Sequence, residues 1–218
     1  TPTPDAMAAV DAVASDEAFG FAYPHLLEGW REAGAEILPF SPLADKAPDE
    51  SADAIFLPGG YPELHAGRLT ANSTFLDGLR SAAQASTLVY GECGGYMVLG
   101  EALTDAEGVT HQMAGLLPLE TSFAQRRLHL GYRHLSAAAG LFQGDWKGHE
   151  FHYSSVLEWK GCEDDLAYSM VRGTGLINGK DGLCYKNVLA TYTHLHAAGT
   201  PEWAPSLTAK AREYSAGK

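Results

Sequence analysis

The segment Gly91-Glu92-Cys93-Gly94-Gly95 constrains the fold of this chain more than any other part of its sequence. A β-branched and aromatic run ends at Tyr90 just before it, and a helix-compatible run, Tyr96–Leu99, follows. A reactive residue between small ones, at a strand-to-helix turn, is typical of a nucleophile elbow. Glycine suits such a turn because no side chain fits close to the nucleophile. A helix starting at Gly94 would favour the thiolate of Cys93. We therefore interpret Cys93 as a nucleophile, although a lone cysteine is more commonly a buried structural residue.

Composition limits the classes of protein to which the chain can belong. Its 218 residues suffice for one large domain with a full core. The formal net charge of −12 argues against an unaided nucleic-acid or anionic-membrane surface. There is no apolar run of about 18 residues and no signal-peptide pattern. The three cysteines, Cys93, Cys162 and Cys184, form no CxxC pair, which disfavours a disulfide framework or cysteine zinc site and favours the cytoplasm.

The order of predicted elements indicates an α/β fold with a doubly wound, mostly parallel sheet and a strand-rich second half. Residues 1–7 look like the end of a linker, and residues 8–218 like one domain. Helices are predicted from Pro24, from Asn72 as a possible cap, and from near Pro201 or Pro205. Strands are predicted at Ala8–Ala14, Glu36–Leu38, Ala54–Leu57, 87–90, and near 116–122, 128–135, 149–157, 167–171 and 188–192.

Two predicted strands end in glycine-rich turns, which in a doubly wound sheet lie at the edge where ligands gather. One is the Cys93 turn and the other is Pro58-Gly59-Gly60. A thiolate that attacks a carbonyl needs two donors for the oxyanion it creates. The backbone N–H of Gly94 is a natural first donor, and an N–H of the Gly59-Gly60 turn is a natural second. A plain tight turn remains the alternative for the second position.

Four of the nine histidines stand in contexts that suit a catalytic base: His149 and His152 in one segment, His194 and His196 in another. An isolated histidine is more often a structural residue than a catalyst. The spacing of His149 and His152 is three, whereas a zinc-protease helix needs four. A metal site formed by all four histidines is a further alternative, and we predict no metal.

Seven motifs, in order, resemble the C-terminal glutaminase domain of cobyrinic acid a,c-diamide synthases, which is a class I (triad-type) glutamine amidotransferase domain with a flavodoxin-like sheet. The resemblance spans about residues 10 to 215. The motifs are Asp16–Phe19, Pro39–Asp45, Leu57–Leu64, Gly91–Met97, Leu130–Arg133, Gly148–Ser154 and Tyr192–His196.

The resemblance implies that the chain releases ammonia from glutamine for the a and c carboxylates of a corrin precursor of cobalamin. The acceptor could be cobyrinate, hydrogenobyrinate or, in a related family, nickel-sirohydrochlorin, and the sequence leaves this open. Cys93 matches the nucleophile, and His194 matches the histidine that activates it. Similarity to triad glutaminases assigns the oxyanion hole to the backbone of Gly60 and Gly94. Further residues expected to line the site are Tyr61, Glu92, Glu150, His152 and His196.

Two positions depart from the wider class of triad glutaminases. Many of these enzymes carry a glutamate two residues after the catalytic histidine, where this chain has His196. Either a Cys–His dyad or an acid from elsewhere must therefore serve. Many also carry a glutamine four residues after the nucleophile, where this chain has Met97. The sequence thus leaves open how the substrate glutamine is held.

Synthases of this family also carry an N-terminal ATP-binding domain, and no GxxxxGK[ST] motif occurs in this sequence. We therefore expect ATP and Mg²⁺ to bind in a domain absent from this chain, and no cofactor to bind here. The first residue is Thr1 rather than methionine, which suggests a piece of a longer protein. The expected partners are glutamine, the ATP-binding domain and, in the full enzyme, the corrinoid; a homodimer is compatible with the sequence.

Two other functions stay open at this stage. One is a different cysteine hydrolase on the same scaffold, such as a peptidase-like enzyme. The other is a non-catalytic docking or corrinoid-binding module that is inactive without its ATPase half. Arg126, Arg127 and Arg133 could face the partner domain or the anionic tetrapyrrole, but we expect a solvated strand face there.

Overall fold

A computed structural model describes residues 9–137, 143–161, 166–173, 179–195 and 209–213. Four α-helices are described: α1 (Pro24–Glu32), α2 (Ala66–Ala71), α3 (Ser73–Gln84) and α4 (Gly94–Leu99). Short 3₁₀ turns lie at Pro42–Ala44 and Pro62–His65. The strands are β1 (Ala9–Ala14), β2 (Ala35–Phe40), β3 (Ala54–Leu57), β4 (Leu88–Glu92), β5 (Ala102–Thr104), β6 (Thr110–Gln112), β7 (Leu119–Ser122), β8 (His129–Ala137), β9 (Gly144–His152), β10 (Ser155–Trp159), β11 (Leu166–Gly173), β12 (Lys180–Tyr185), β13 (Val188–Thr191) and β14 (His194–Leu195).

The strands form one large sheet and one small one. The large sheet has the order β14-β9-β8-β11-β12-β13-β4-β3-β1-β2, and the small one β10-β7-β5-β6. The strands β2, β1, β3, β4 and β13 pair in parallel, and the remaining neighbours in the large sheet are antiparallel. The predicted α/β fold with a strand-rich second half is thereby confirmed. The carboxyl ends of β3, β4 and β13 meet at one edge, where both glycine-rich turns lie.

Apolar side chains cover both faces of the parallel strands. On one face Trp30 of α1 packs edge-on against Phe56, with ring centroids 5.1 Å apart, and Phe56 stacks on Tyr90 at 5.5 Å. On the other face α3 and α4 bury a second cluster that includes Leu79 and Met97. Burial of this kind on both faces explains why the parallel strands read as continuous apolar runs. In the described part of the chain, no helix is long and apolar enough to cross a membrane.

Several predicted boundaries in the second half were wrong. The single strand predicted at 149–157 is two strands, because the chain leaves the large sheet after β9 and β10 pairs with β7 of the small sheet. The strand predicted near 116–122 starts only at Leu119. The strands β5, β6, β12 and β14 had not been predicted. In β12 the sequence opens on Lys180-Asp181-Gly182, which resembles a turn rather than a strand.

The start of α3 is not capped by the residue that the sequence suggested. Asn72 stands at the N-cap position, but its side-chain amide donates to the carbonyls of Pro42 (2.8 Å) and Leu43 (3.2 Å). The first-turn N–H of Phe75 instead donates to Oδ1 of Asp45, at 2.9 Å. The helix therefore takes its cap from a residue distant in sequence, which local pattern reasoning cannot detect.

Other predictions concern the ends of the chain. The helix predicted from Pro24 is present, and β2 runs through Pro39 at the edge of the sheet, as a proline in a strand requires. The segment 209–213 is helical, and Ala211 in it is fully buried. The linker at 1–7, His196 and the start of the last helix near Pro201 or Pro205 lie outside the described residues.

We expect Asp45→Ala to lower the free energy of unfolding by about 1–2 kcal/mol, because it removes the cap of α3 and strains the backbone. Asp45 has a positive φ of 53°, which aspartate and asparagine tolerate better than alanine. Urea denaturation followed by circular dichroism measures the change. Asp45→Asn is the control, because asparagine keeps an acceptor oxygen and tolerates this φ. Equal destabilisation by the two variants would contradict the capping role.

Candidate active site

The backbone at Cys93 forms a strained turn between β4 and α4. Its dihedral angles are φ 49° and ψ −98°, and a positive φ is unfavourable for a residue with a side chain. Such strain costs on the order of 1–3 kcal/mol and persists only where the surroundings enforce it. Here the N–H of Cys93 donates to the carbonyl of Thr191 at 2.8 Å, which ties the turn to the end of β13. The geometry is that of a nucleophile elbow.

The glycines of this turn are required by close packing of α4 on the sheet. A Cβ on Gly91 would lie 2.7 Å from Cδ1 of Leu99 and 3.0 Å from the backbone of Gly95. A Cβ on Gly95 would collide with the carbonyl group of Leu57 in β3. Because backbone meets backbone here, α4 can start directly after Cys93 and bury its whole length.

The second glycine-rich turn lies against the first. A Cβ on Gly94 would be 3.0 Å from the backbone nitrogen of Gly60, so the two amides predicted as oxyanion donors come from adjacent pieces of main chain. The carbonyl of Gly59 accepts a hydrogen bond from the N–H of Phe21, at 2.9 Å, which fixes this turn from the β1–α1 connection. Tyr61 follows it and is half exposed, with its ring edge-on to Phe21 at 5.1 Å.

His194 opens β14 and reaches Cys93 from the other side of the turn. Its imidazole and Cys93 border the same point of the Gly59 turn. A Cβ on Gly59 would collide with Cε1 of His194 and would lie 3.3 Å from Nε2 of His194 and 3.4 Å from Cβ of Cys93. The ring is buried and stacks on His149, with centroids 4.9 Å apart, while Tyr23 packs edge-on at 6.0 Å. The structure therefore brings together the two residues that the sequence singled out first.

A carboxylate stands on the far side of the imidazole. Oε2 of Glu92 lies 3.6 Å from Nδ1 of His194, and both side chains are almost fully buried. Burial would lower the pKa of His194, but the interactions of its imidazole with Cys93 and Glu92 outweigh burial and raise this pKa to about 10. The sequence named Glu92 only as a residue lining the site. The local sequence feature that hints at a closer role for Glu92 is its position as a glutamate at the end of an otherwise apolar strand.

Asp181 of β12 is a residue that the sequence analysis missed. Its carboxylate accepts hydrogen bonds from the hydroxyl of Thr191 and from the N–H groups of Tyr192 and Thr193, the latter two at 3.2 Å. These contacts fix the segment between β13 and His194. Asp181 thus determines the position of the histidine without touching it.

Strand β9 supplies the wall opposite the elbow. Sγ of Cys93 lies 3.8 Å from the carbonyl of Phe151. On the other face of β9, Glu150 binds Nε and Nη2 of Arg133 at 2.6 and 2.5 Å and Nε2 of His152 at 2.7 Å. Burial would raise the pKa of Glu150, but the hydrogen bonds and charges of His152 and Arg133 outweigh it and lower this pKa.

The expectation of a solvated strand face was wrong for Arg133, which is only 2% exposed. In the β8–β9 register Gly131 faces Glu150, so Arg133 and Glu150 are diagonal neighbours on one face and pair inside the protein. Arg126 and Arg127 are exposed, and the guanidinium of Arg126 lies 5.1 Å above the ring of Tyr153.

The alternative of a metal site formed by the predicted histidines finds no support in the described part of the chain. His149 stacks on His194, whereas His152 lies on the opposite face of β9 and stacks on Tyr192, with centroids 3.7 Å apart. Donor atoms of His129, Glu150 and His152 do lie within 4.8 Å of one another. However, Arg133 already neutralises Glu150, and both ring nitrogens of His152 have partners, Glu150 and the carbonyl of Ser154. These contacts occupy the donors that a metal would need.

A cavity of about 370 Å³ lies beside the ring of Tyr192. It carries both cationic and anionic groups, since Arg127, Lys180 and Asp181 are among the residues that line it. Met97, which replaces the glutamine of many triad glutaminases, is 1% exposed on the buried side of α4. It therefore cannot hold the polar end of a substrate.

Comparison with known proteins agrees with this geometry. Residues 12–202 match the family described as the CobB/CobQ-like glutamine amidotransferase domain. The chain belongs to this family. It is 54% identical over 188 residues to a hydrogenobyrinate a,c-diamide synthase of Brucella anthropi, covering 84% of this chain and 42% of that protein. It is 53% identical over 196 residues to the corresponding synthase of Rhodobacter capsulatus, covering 85% of this chain and 43% of that protein.

Similar folds occur among solved structures. A crystal structure of a glutamine amidotransferase has a TM-score of 0.64 at 17% identity, covering 95% of this chain and 99% of that one. The PurLQS structure from Thermotoga maritima has a TM-score of 0.62 at 16% identity, covering 97% and 99%. The resemblance seen in the motifs and the expected class of fold are thus confirmed. The chain spans less than half the length of the curated relatives that it matches.

We expect Gly59→Ala to reduce glutamate release from glutamine at least tenfold, because the new Cβ would displace the His194 ring from Cys93. A misplacement near 1 Å at a reacting group can cost about 100-fold in rate. Gly67→Ala in α2 is the matched control, since its Cβ would make only ordinary contact, 3.7 Å from His111. Equal activities of the two variants would contradict the arrangement of Gly59 and His194.

Proposed function

We propose that this chain is the glutaminase part of a hydrogenobyrinate a,c-diamide synthase, which hydrolyses glutamine to glutamate and ammonia. The observation that carries the proposal is the buried contact between Cys93, at a strained elbow, and His194. A buried thiol beside an imidazole, at the carboxyl edge of a parallel sheet, is the arrangement that activates a cysteine nucleophile. Membership of the amidotransferase family supports the choice of glutamine as substrate.

In the proposed reaction the proton of the Cys93 thiol moves to His194, and the thiolate attacks the side-chain amide carbon of glutamine. The N–H groups of Gly60 and Gly94 hold the resulting oxyanion, as their adjacent positions allow. His194 then returns the proton to the departing nitrogen, and ammonia leaves behind a glutamyl thioester on Cys93. A water molecule hydrolyses the thioester to glutamate and restores the thiol.

The remaining residues named from the sequence have supporting roles in this proposal. Tyr61 borders the site at its exposed side, next to the turn of Gly60. Glu150 and His152 shape the wall behind Phe151, since Glu150 binds both Arg133 and His152. His196 remains a predicted lining residue, outside the described part of the chain.

The acceptor of the ammonia is proposed to be hydrogenobyrinate rather than cobyrinate or nickel-sirohydrochlorin. The support is that relatives 53–54% identical to this chain are named hydrogenobyrinate a,c-diamide synthases. Activation of the a and c carboxylates would use ATP and Mg²⁺ in a part of the synthase that this chain does not include. The cytoplasmic location that the cysteine pattern favours is retained as part of this proposal, and a homodimer stays a prediction.

Exposed apolar side chains beside the elbow supply a surface on which the ATP-binding part would dock. On β8 and β9 these are Leu130 (53% exposed), Tyr132 (69%) and Phe151 (42%). The carbonyl of Phe151 lies 3.8 Å from Sγ of Cys93, so the surface borders the nucleophile. Contiguous exposed apolar side chains are typical of an interaction surface. A partner on this surface would also cover the site, and ammonia released there escapes protonation by water only if the site is covered.

The same surface would serve the alternative of a non-catalytic docking module. The paired Cys93 and His194 favour an enzyme, because a docking module has no need of a strained, buried thiol–imidazole contact. The peptidase-like alternative is disfavoured by the family match over residues 12–202.

We expect Cys93→Ser to abolish glutamate release from glutamine, both by this chain alone and after addition of the ATP-binding part of the synthase. Enzyme-coupled detection of glutamate measures the rate, and Cys184→Ser is the matched control. Retained hydrolysis in Cys93→Ser would exclude Cys93 as nucleophile, and wild-type cleavage of peptides but not glutamine would favour the peptidase-like alternative.

We expect Tyr132→Lys to weaken binding of the ATP-binding part at least tenfold, because it places a charge in the proposed apolar interface. Leu157→Lys on β10 is the matched control, since Leu157 is also exposed (62%) but lies on the small sheet. Isothermal titration calorimetry measures both affinities. Equal affinities of the two variants would exclude the β8–β9 surface as the docking site.

A further inference from the structure

The carboxylate of Glu92 is held in one orientation by two donors on its inner oxygen. Oε1 accepts the hydroxyl of Tyr90 at 2.7 Å and the backbone N–H of Leu195 at 3.1 Å. Tyr90 and Glu92 are two residues apart on β4 and therefore lie on the same face of the sheet. Burial, followed by the charge of Glu92, raises the pKa of Tyr90 well above its ordinary value, so the hydroxyl stays a donor.

The second oxygen of Glu92 is left for His194. Oε2 lies 3.6 Å from Nδ1 of the imidazole, and neither atom has a hydrogen-bond partner elsewhere in the described chain, although both are fully buried. A buried carboxylate without a partner is strongly disfavoured, whereas a carboxylate beside an imidazolium is stabilised. Hydrogen bonds between catalytic groups are often long without substrate and shorten when it binds.

Among the described carboxylates, Glu92 is the one that the structure pairs with His194. Glu150 is bound by Arg133 and His152, and Asp181 is bound by the segment from Thr191 to Thr193. The position two residues after His194, where many triad glutaminases carry a glutamate, holds a histidine in this sequence. The titratable groups that face the pair are Cys93, His149 and Tyr23 around His194, and Tyr90 and Tyr168 around Glu92.

We propose that Glu92, directly before the nucleophile, is the positioning acid of this site. Its Oε2 binds Nδ1–H of His194, which turns Nε2 toward Cys93 and stabilises the imidazolium formed when the thiol loses its proton. The proton moves only between the sulfur of Cys93, Nε2 of His194 and the departing ammonia. This inference rests on the proposed glutaminase function, because it assigns the third member of that catalytic group.

The fold explains why the acid can stand at this position. Thr191 pairs with Glu92 in the register of β13 and β4, so the two strands end side by side. The segment after Thr191 then carries His194 back over the end of β4. The end of β4 and the turn after it thus supply the acid and the nucleophile in consecutive residues, and the segment that follows the neighbouring strand β13 supplies the base.

The test is the rate at which iodoacetamide alkylates Cys93, measured from pH 5 to pH 10 in wild type and Glu92→Gln. Peptide mass spectrometry resolves Cys93 from Cys162 and Cys184, and the reaction needs no glutamine. The side chain introduced by Glu92→Gln keeps an acceptor oxygen for Tyr90 and Leu195 but carries no charge. We expect the rate at pH 7 to fall about tenfold or more, and the pH of half-maximal reactivity to rise, because the imidazolium no longer has its counter-ion.

Steady-state hydrolysis of glutamine provides a second readout. We expect Glu92→Gln to lower kcat about 100-fold or more while KM stays within a few-fold, since a positioning acid acts on the chemical step. Glu36→Gln, an exposed glutamate on the edge strand β2, is the matched control and should behave as wild type. In a His194→Ala background, Glu92→Gln should cause no further loss, because the acid acts only through the histidine.

An alkylation profile in Glu92→Gln that matches wild type would overturn the assignment, even if wild type hydrolyses glutamine. Conversely, a shifted profile in a chain that never hydrolyses glutamine, even with the ATP-binding part, would contradict the proposed function and leave the Glu92–His194 pair intact. If Glu92→Gln does not fold, Glu92→Asp replaces it. Its carboxylate is one methylene further from His194. We therefore expect the alkylation rate of Cys93 at pH 7 to fall by about threefold or more, less than in Glu92→Gln. An unchanged alkylation profile in Glu92→Asp would overturn the assignment.

Discussion

The close approach of α4 to β3 and β4 is the constraint on which the site depends. Gly91 and Gly95 let backbone pack on backbone, and the turn between strand and helix becomes so short that Cys93 must adopt a positive φ. The strain is local, whereas the packing that enforces it buries the whole of α4. A larger side chain at Gly95 would meet the carbonyl of Leu57 and move the helix. The geometry of the nucleophile therefore follows from core packing rather than from the residues that surround its thiol.

Charge is the second constraint, because several ionisable groups are buried close together at this edge of the sheet. Each has a specific partner: Glu150 pairs with Arg133, Asp181 holds the segment before His194, and Glu92 faces the imidazole. Such pairs contribute little net stability, since desolvation offsets most of the attraction. These pairs instead fix positions in the site, because each restricts a side chain or loop to one arrangement. The raised pKa of His194 is the direct chemical consequence of this arrangement.

The sequence predicted the features that depend on local pattern and not those that depend on distant contacts. Glycines around Cys93 predicted the elbow, because tight turns restrict residue type. The role of Glu92 could not be predicted, since its contact with His194 spans about a hundred residues and depends on the pairing of β13 with β4. Likewise, the burial of Arg133 depends on the register of β8 and β9. The departure at His196 left two alternatives, a Cys–His dyad or an acid from elsewhere, and did not indicate which strand would supply such an acid.

The central claim, that Cys93 is the nucleophile of a glutaminase, is tested most directly by trapping its covalent intermediate. This chain, together with the ATP-binding part of the proposed synthase, would be mixed with glutamine, quenched with acid within the first turnover, digested and analysed by mass spectrometry. The account predicts a glutamyl thioester on the peptide that contains Cys93 and on no other cysteine peptide. A glutamyl group on Cys184 or Cys162, or glutamate release with no adduct on Cys93, would contradict it.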